Sequence, residues 1–166
     1  MIKKLVHTVT SCLLITSCGV YSFTGASIPA QAKSVTVNYF TTSITNSPAS
    51  LKHKMTEGLK DLFLSQTSLN LEDKEGDLIF TGKIIKYQIN PIAIKANETA
   101  GKNRLTIDIE IEYINKFNNE ENFKSNFSRY RDFNSSENLS DLEDALIEEI
   151  SVELLEDVYN KAFVNW

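Results

Sequence analysis

The clearest periodicity in the chain lies between Arg104 and Phe117, where Leu105, Ile107, Ile109, Ile111 and Tyr113 alternate with Thr106, Asp108, Glu110 and Glu112. Successive side chains of a strand point to opposite faces, so this stretch predicts a strand with one face in a core and the other in water. Ser34 to Phe40 alternates the same way, with Val35, Val37 and Tyr39 set against Ser34, Thr36 and Asn38. Asp77 to Ile89 predicts a longer strand whose apolar positions change parity near Gly82, which places a bulge or kink there. Asn90 and Pro91 close its regular part. Asn118 and Asn119 make a turn, and Glu121 to Phe133 supplies a further strand carrying Phe123 and Phe127.

Two other stretches repeat at helical spacing. Ser47 before Pro48 sets an N-cap ahead of a proline at the first helical position, and Leu51, Met55, Leu59, Leu62 and Phe63 follow toward an end near Gln66. Ser140 with Glu143 three residues on forms a capping box that opens a last helix running to about Phe163. On that helix Leu146, Ile147, Ile150, Leu154 and Val158 share one stripe about 120° wide, the width of a face docked on a sheet. Val152, Leu155, Tyr159 and Phe163 make a second stripe opposite, confined to the C-terminal half. That stripe has two readings, packing against the first helix or contact with a partner. The order β-α-β-β-β-α predicts an α+β fold, a two-layer sandwich with two helices packed on one face of a four-stranded mixed sheet. Ile107, Ile109, Ile111, Phe127, Leu146, Ile150 and Leu154 are its expected core.

The beginning of the chain follows a different rule. Met1, Ile2, Lys3 and Lys4 precede an apolar run from Leu5 to Thr16, shorter than the roughly 20 residues of a membrane span and laid out as a secretory signal peptide. Ile15, Thr16 and Ser17 before Cys18 match the lipobox of bacterial lipoproteins. The expected division is a lipoprotein signal peptide over 1–17, a lipidated segment over 18–33 and a single α+β domain over 34–166. Cleavage removes Cys12 and leaves Cys18 with no intramolecular disulfide partner. Acylation of Cys18 would also remove the hazard of a lone thiol in an oxidising envelope. Cys18 is therefore read as a membrane anchor, carrying more than one acyl chain because a single chain binds only marginally.

Charge and missing chemistry narrow the function. Losing Lys3 and Lys4 takes the formal net charge from −5 to −7, which argues against a nucleic-acid partner. After residue 17 only His53 remains among the histidines, between Lys52 and Lys54, and a single histidine makes a poor metal site. There is no Gly-rich phosphate loop or nucleophile elbow. The expectation is a protein that is not an enzyme, with no cofactor and no metal. Asp108, Glu110 and Glu112 are read as a solvated acidic face.

The segments CGVYSFTGASI, FLSQT, GDLIFTGKI, NETAGKNRLTI, FSRYRDF and NKAFVNW, in this order, resemble the LptE family of lipopolysaccharide-assembly lipoproteins in its Bacteroidota form. The resemblance implies two helices over a four-strand sheet. It also implies a lipoprotein of the outer membrane, on the periplasmic side, that helps assemble and plugs the LptD β-barrel for lipopolysaccharide transport. The residues after Cys18, GVYSFTG, hold no acidic cluster of the kind that marks surface export, in keeping with the inner face. The alternative is a periplasmic ligand-binding lipoprotein of the outer membrane with no barrel partner, which requires a concave apolar pocket. Two sets of residues carry the site expectations. Lys95, Lys102 and Arg104 surround the connection over 89–105 with only Glu98 opposing them, a local positive excess suited to the anionic groups of lipopolysaccharide. Leu155, Tyr159, Phe163 and Trp166 are the expected contacts with the barrel.

Overall fold

The computed structural model describes residues 27–92 and 101–164. Six strands and two long helices follow in the order β1 (Ser34–Val37), β2 (Thr41–Thr42), α1 (Ala49–Gln66), β3 (Asn70–Leu71), β4 (Leu78–Ile92), β5 (Lys102–Asn115), β6 (Phe123–Asn134) and α2 (Leu139–Phe163), with a 3₁₀ turn at Asn119–Glu121. The sheet order is β3-β1-β4-β5-β6, and β2 also pairs with β4. β4, β5 and β6 form an antiparallel meander, while β1 lies parallel to β4 and reaches it through α1. This is the expected mixed α+β arrangement, widened by two strands of two residues each, too short to show any periodicity.

The alternation on β5 sorts as its pattern demands. Leu105, Ile107, Ile109 and Ile111 are fully buried and Tyr113 nearly so, under α1 and α2. Ile147, Ile150, Leu154 and Val158 of α2 and Leu51, Met55, Leu59 and Phe63 of α1 close the core from the helical layer. Phe127 and Leu146, expected within the core, are only partly buried and pack against its margin. At one end the core is aromatic: Phe80 lies 4.7 Å from both Phe63 and Tyr113, and Phe163 meets all three rings edge-on.

Several local expectations are corrected. The register shift on β4 falls between Ile84 and Lys86, not at Gly82, which remains paired with Ile111. Gly82 has a different reason to be glycine: a Cβ there would lie 2.3 Å from the Phe40 ring. β4 does not stop before Asn90 but runs on to Ile92, pairing Pro91 with Asn103. Beyond Ile84 no strand is paired with its other side among the described residues, and such an edge tolerates proline. Neither predicted helix cap forms. α1 begins at Ala49 with Pro48 at the cap position, and the Ser47 hydroxyl lies instead 3.4 Å from that of Thr42. α2 begins at Leu139, so Ser140 sits inside the helix, and the Glu143 carboxylate accepts a hydrogen bond from the Tyr87 hydroxyl at 2.6 Å. Burial, and then that bond, push the Tyr87 hydroxyl well above its usual range.

Candidate functional site

Of the expected lipopolysaccharide-contact residues, Lys102 and Arg104 lie on one strand at the end of the meander. Lys95 lies outside the described residues. Lys102 starts β5, exposed, opposite Ile92 and Asn134. Arg104 faces Asp132 on β6 and donates to both carboxylate oxygens, at 2.7 and 2.9 Å, while its guanidinium stacks 3.6 Å over the Tyr130 ring. The hydrogen bonds from Arg104 hold the Asp132 carboxyl below its ordinary range, with Lys102 adding to the effect. The positive charge of Arg104 is thus engaged within the protein.

The same open face, away from the helices, carries a lattice of opposite charges. Lys86 stands 3.7 Å from Asp108, Lys124 3.0 Å from Glu110, and the Ser128 hydroxyl donates to Asp108. The acidic positions of β5 are therefore flanked by cations from both neighbouring strands. Exposed pairs of this kind contribute only about 0–1 kcal/mol each, so they set the character of the surface more than its stability. Among the described residues no group of three or more His, Cys, Asp and Glu could hold a metal ion. His53 is exposed on the second turn of α1.

Leu155, Tyr159 and Phe163, expected at a partner interface, lie inside the domain. They are 5 %, 7 % and 1 % exposed. Leu155 sits so close to α1 that a Cβ on Gly58 would come within 2.7 Å of it, and the rings of Tyr159 and Phe163 lie 6.3 and 5.9 Å from that of Phe63. The second stripe of α2 is thus filled by α1, and glycine at position 58 lets the helices approach. Val152, 46 % exposed, is the one member of that stripe left at the surface. Trp166 and Cys18 lie outside the described residues.

Between the helices, on their outer side, runs an open groove of about 300 Å³ bordered by Leu62, Val152 and Leu155, with Lys54, Asp61, Glu148 and Glu156 at its rim. Lys54 donates to Glu148 at 2.8 Å across it.

One constellation escaped the sequence reading. Arg129 and Arg131 of β6 point to the helical side and meet an acidic row on α2: Arg129 forks onto Asp157 at 2.7 and 2.6 Å, and Arg131 reaches Glu149 at 2.7 Å and Glu153. These bonds raise both guanidinium pKa values and lower that of Glu153. The signal was present. Both arginines share parity with Phe123, Phe127 and Phe133, and Glu149, Glu153 and Asp157 recur every four residues.

Residues 32–162 match the family described as LptE, lipopolysaccharide-assembly. The chain belongs to the LptE family. Its role is accordingly in lipopolysaccharide assembly. No curated protein sequence matches the chain. Among solved structures, a minor lipoprotein from Acinetobacter baumannii is similar over 78 % of this chain and 91 % of that one, with 11 % identity and a TM-score of 0.52. A protein from Xanthomonas campestris is similar over 81 % of this chain and 87 % of that one, with 8 % identity and a TM-score of 0.50. At these identities the likeness is one of fold. No described helix is long and apolar enough to span a bilayer.

Proposed function

We propose that the chain is a lipoprotein of the outer membrane, held on the periplasmic side by acylated Cys18 after removal of residues 1–17, that helps an LptD-type β-barrel assemble and plugs it during lipopolysaccharide transport. The observation that carries this reading is the match to the LptE family across 32–162. The open sheet face, with its intermixed charges, is compatible with a wet lumen and unsuited to burial in lipid. The role is one of binding, without catalysis, cofactor, metal or nucleic acid. The deciding experiment is affinity purification of the full chain from solubilised outer membrane. A stoichiometric large barrel is expected, and recovery of the lipoprotein alone would overturn the reading. Labelled palmitate should enter the wild-type chain and fail to enter Cys18→Ser.

Lipopolysaccharide contact is proposed for Lys95 and Lys102, with Arg104 contributing through its stacked and paired position. Reversing Arg104 would break its own fork with Asp132, so the informative variant is Lys95→Glu with Lys102→Glu. It should capture the barrel normally and bind lipopolysaccharide more weakly, most visibly at low salt. Partner contact is proposed for Trp166, with Leu155, Tyr159 and Phe163 shaping the helix pair from beneath. The inter-helix groove favours the second reading, a ligand-binding lipoprotein without a barrel, because its volume is at the lower end for a small-molecule site. A monomer purified with a small ligand would support that reading.

A further inference from the structure

Among the described residues the sheet has two long margins with no strand opposite, and the chain treats them differently. Past Ile84 the outer side of β4 carries a bulge and then Pro91, two devices that spoil strand addition. β6, at the end of the sheet order, has neither: it pairs with β5 over its 12 residues without a register shift and contains no proline or glycine. No described strand lies opposite its outer side, where the Tyr130 carbonyl accepts a hydrogen bond from the Arg131 side chain at 3.0 Å and the Asn134 N–H donates to Glu137 at the far end.

What fits that edge can be read from β6 itself. An antiparallel copy aligned about Ser128 sets Lys124 against Asp132, Phe123 against Phe133, Asn126 against Tyr130, Ser125 against Arg131 and Phe127 against Arg129. Opposite charges therefore meet twice, once on each side of the axis, beside the partners Glu110 and Arg104 that Lys124 and Asp132 already hold on β5, and aromatic rings close both ends. Neighbouring alignments lose this. Centring on Arg129 sets that arginine against itself, centring on Tyr130 sets Arg129 against Arg131, and centring on Phe127 leaves Lys124 opposite Tyr130. Charges directly opposed across a strand pair stabilise when unlike and destabilise when like. On the helical side Glu149, Glu153 and Asp157 of α2 already have Arg129 and Arg131 as counter-ions, which limits repulsion between the two α2 helices.

We propose that β6 is a docking edge for a second copy of this chain, paired antiparallel about a two-fold axis through Ser128 when no barrel has captured it. The joined sheets are continuous through β6, and the pair Lys124 and Asp132 fixes the register. Pairing at this edge is independent of which membrane partner the chain serves.

The test uses the full chain expressed without the barrel, in isolated membranes under mild oxidation, with wild type reporting any background from the native cysteines. Residues 126, 128 and 130 are all exposed on the open face. Ser128→Cys places two thiols on the axis and should give a disulfide-linked dimer. Asn126→Cys alone and Tyr130→Cys alone should remain monomeric, since each residue lies roughly 13 Å from its own copy at about 3.3 Å per residue. Co-expressing those two variants should give the mixed dimer. Lys124→Glu added to Ser128→Cys brings like charges together and should lower the dimer yield by roughly tenfold. A monomeric Ser128→Cys chain with unchanged circular dichroism would overturn the proposal. Equal crosslinking of Asn126→Cys alone would also overturn it, as would a crosslink of Ser128→Cys to a foreign protein only.

Discussion

β5 and β6 are neighbours in register, and both turn alternate residues toward the helical layer, yet they meet it with different chemistry. β5 offers Leu105, Ile107, Ile109, Ile111 and Tyr113, all buried. β6 offers Phe123, Ser125, Phe127, Arg129 and Arg131, all half-buried, and only Phe133 fully so. The difference follows from position. β5 lies at the centre of the helical layer, where water is excluded and an unpaired charge would carry a large desolvation penalty. β6 lies under the margin of α2, where long side chains keep their heads wet while their stems cover apolar surface. Burial holds the centre, and directional ion pairs align the rim.

The comparison breaks most sharply at Ile109. Truncation to alanine should cost about 2–5 kcal/mol, because the side chain is fully buried in the core. A urea unfolding midpoint unchanged within error would show that β5 is not the centre. On the other flank of β5, Gly82→Ala forces a methyl group against the Phe40 ring and should cost about 1–3 kcal/mol, read from the same curves. Arg131→Ala removes a partly exposed fork and should cost no more than about 1 kcal/mol. A loss as large as that of Ile109→Ala would erase the distinction between the two strands. The smallest effect is in pH. Glu153 and Asp132 have folded pKa values held below their ordinary ones, so their stabilisation is complete above the ordinary carboxylate values, 4.5 and 3.8, and fades as pH falls through the lower folded values. Thermal midpoints should therefore fall between pH 5 and pH 3, and less so for Arg131→Ala than for wild type.

The same contrast explains what was legible in the sequence. A strand at the centre repeats its burial every second residue, so β5 and its core residues could be read directly. Rim features depend on what lies across a gap in three dimensions. Glu143 matches a capping box, but the bulge after Ile84 turns Tyr87 toward it, and the hydroxyl claims the carboxylate. Gly82 suggested a bulge because parity changes near it, whereas the glycine answers to Phe40, forty-two positions back and brought near by β2. The apolar stripe of Leu155, Tyr159 and Phe163 was readable as a stripe. Its occupant depended on Gly58 in another helix. Arg104 looked like a solvated cation because its acidic counterpart is 28 residues away in sequence.

The attachment of β1 carries a mechanical consequence. Asp77 accepts hydrogen bonds from the backbone N–H groups of Lys33 and Ser34 at 2.8 and 3.2 Å, and the Ser34 hydroxyl accepts one from the Asp77 N–H at 3.0 Å. Immediately beyond, β1 runs parallel to β3 on one flank and to β4 on the other. Tension applied from the N-terminal side along this strand loads both ladders in shear, so their bonds must yield together instead of peeling one by one. Among the described residues, the link from the Ser27 N–H to the Phe163 carbonyl and the packing of Ile28 and Ala32 on the core stand ahead of that clamp. A domain tethered from this side is held through β1 and both of its ladders, as well as through the contact of Ser27 with the end of α2.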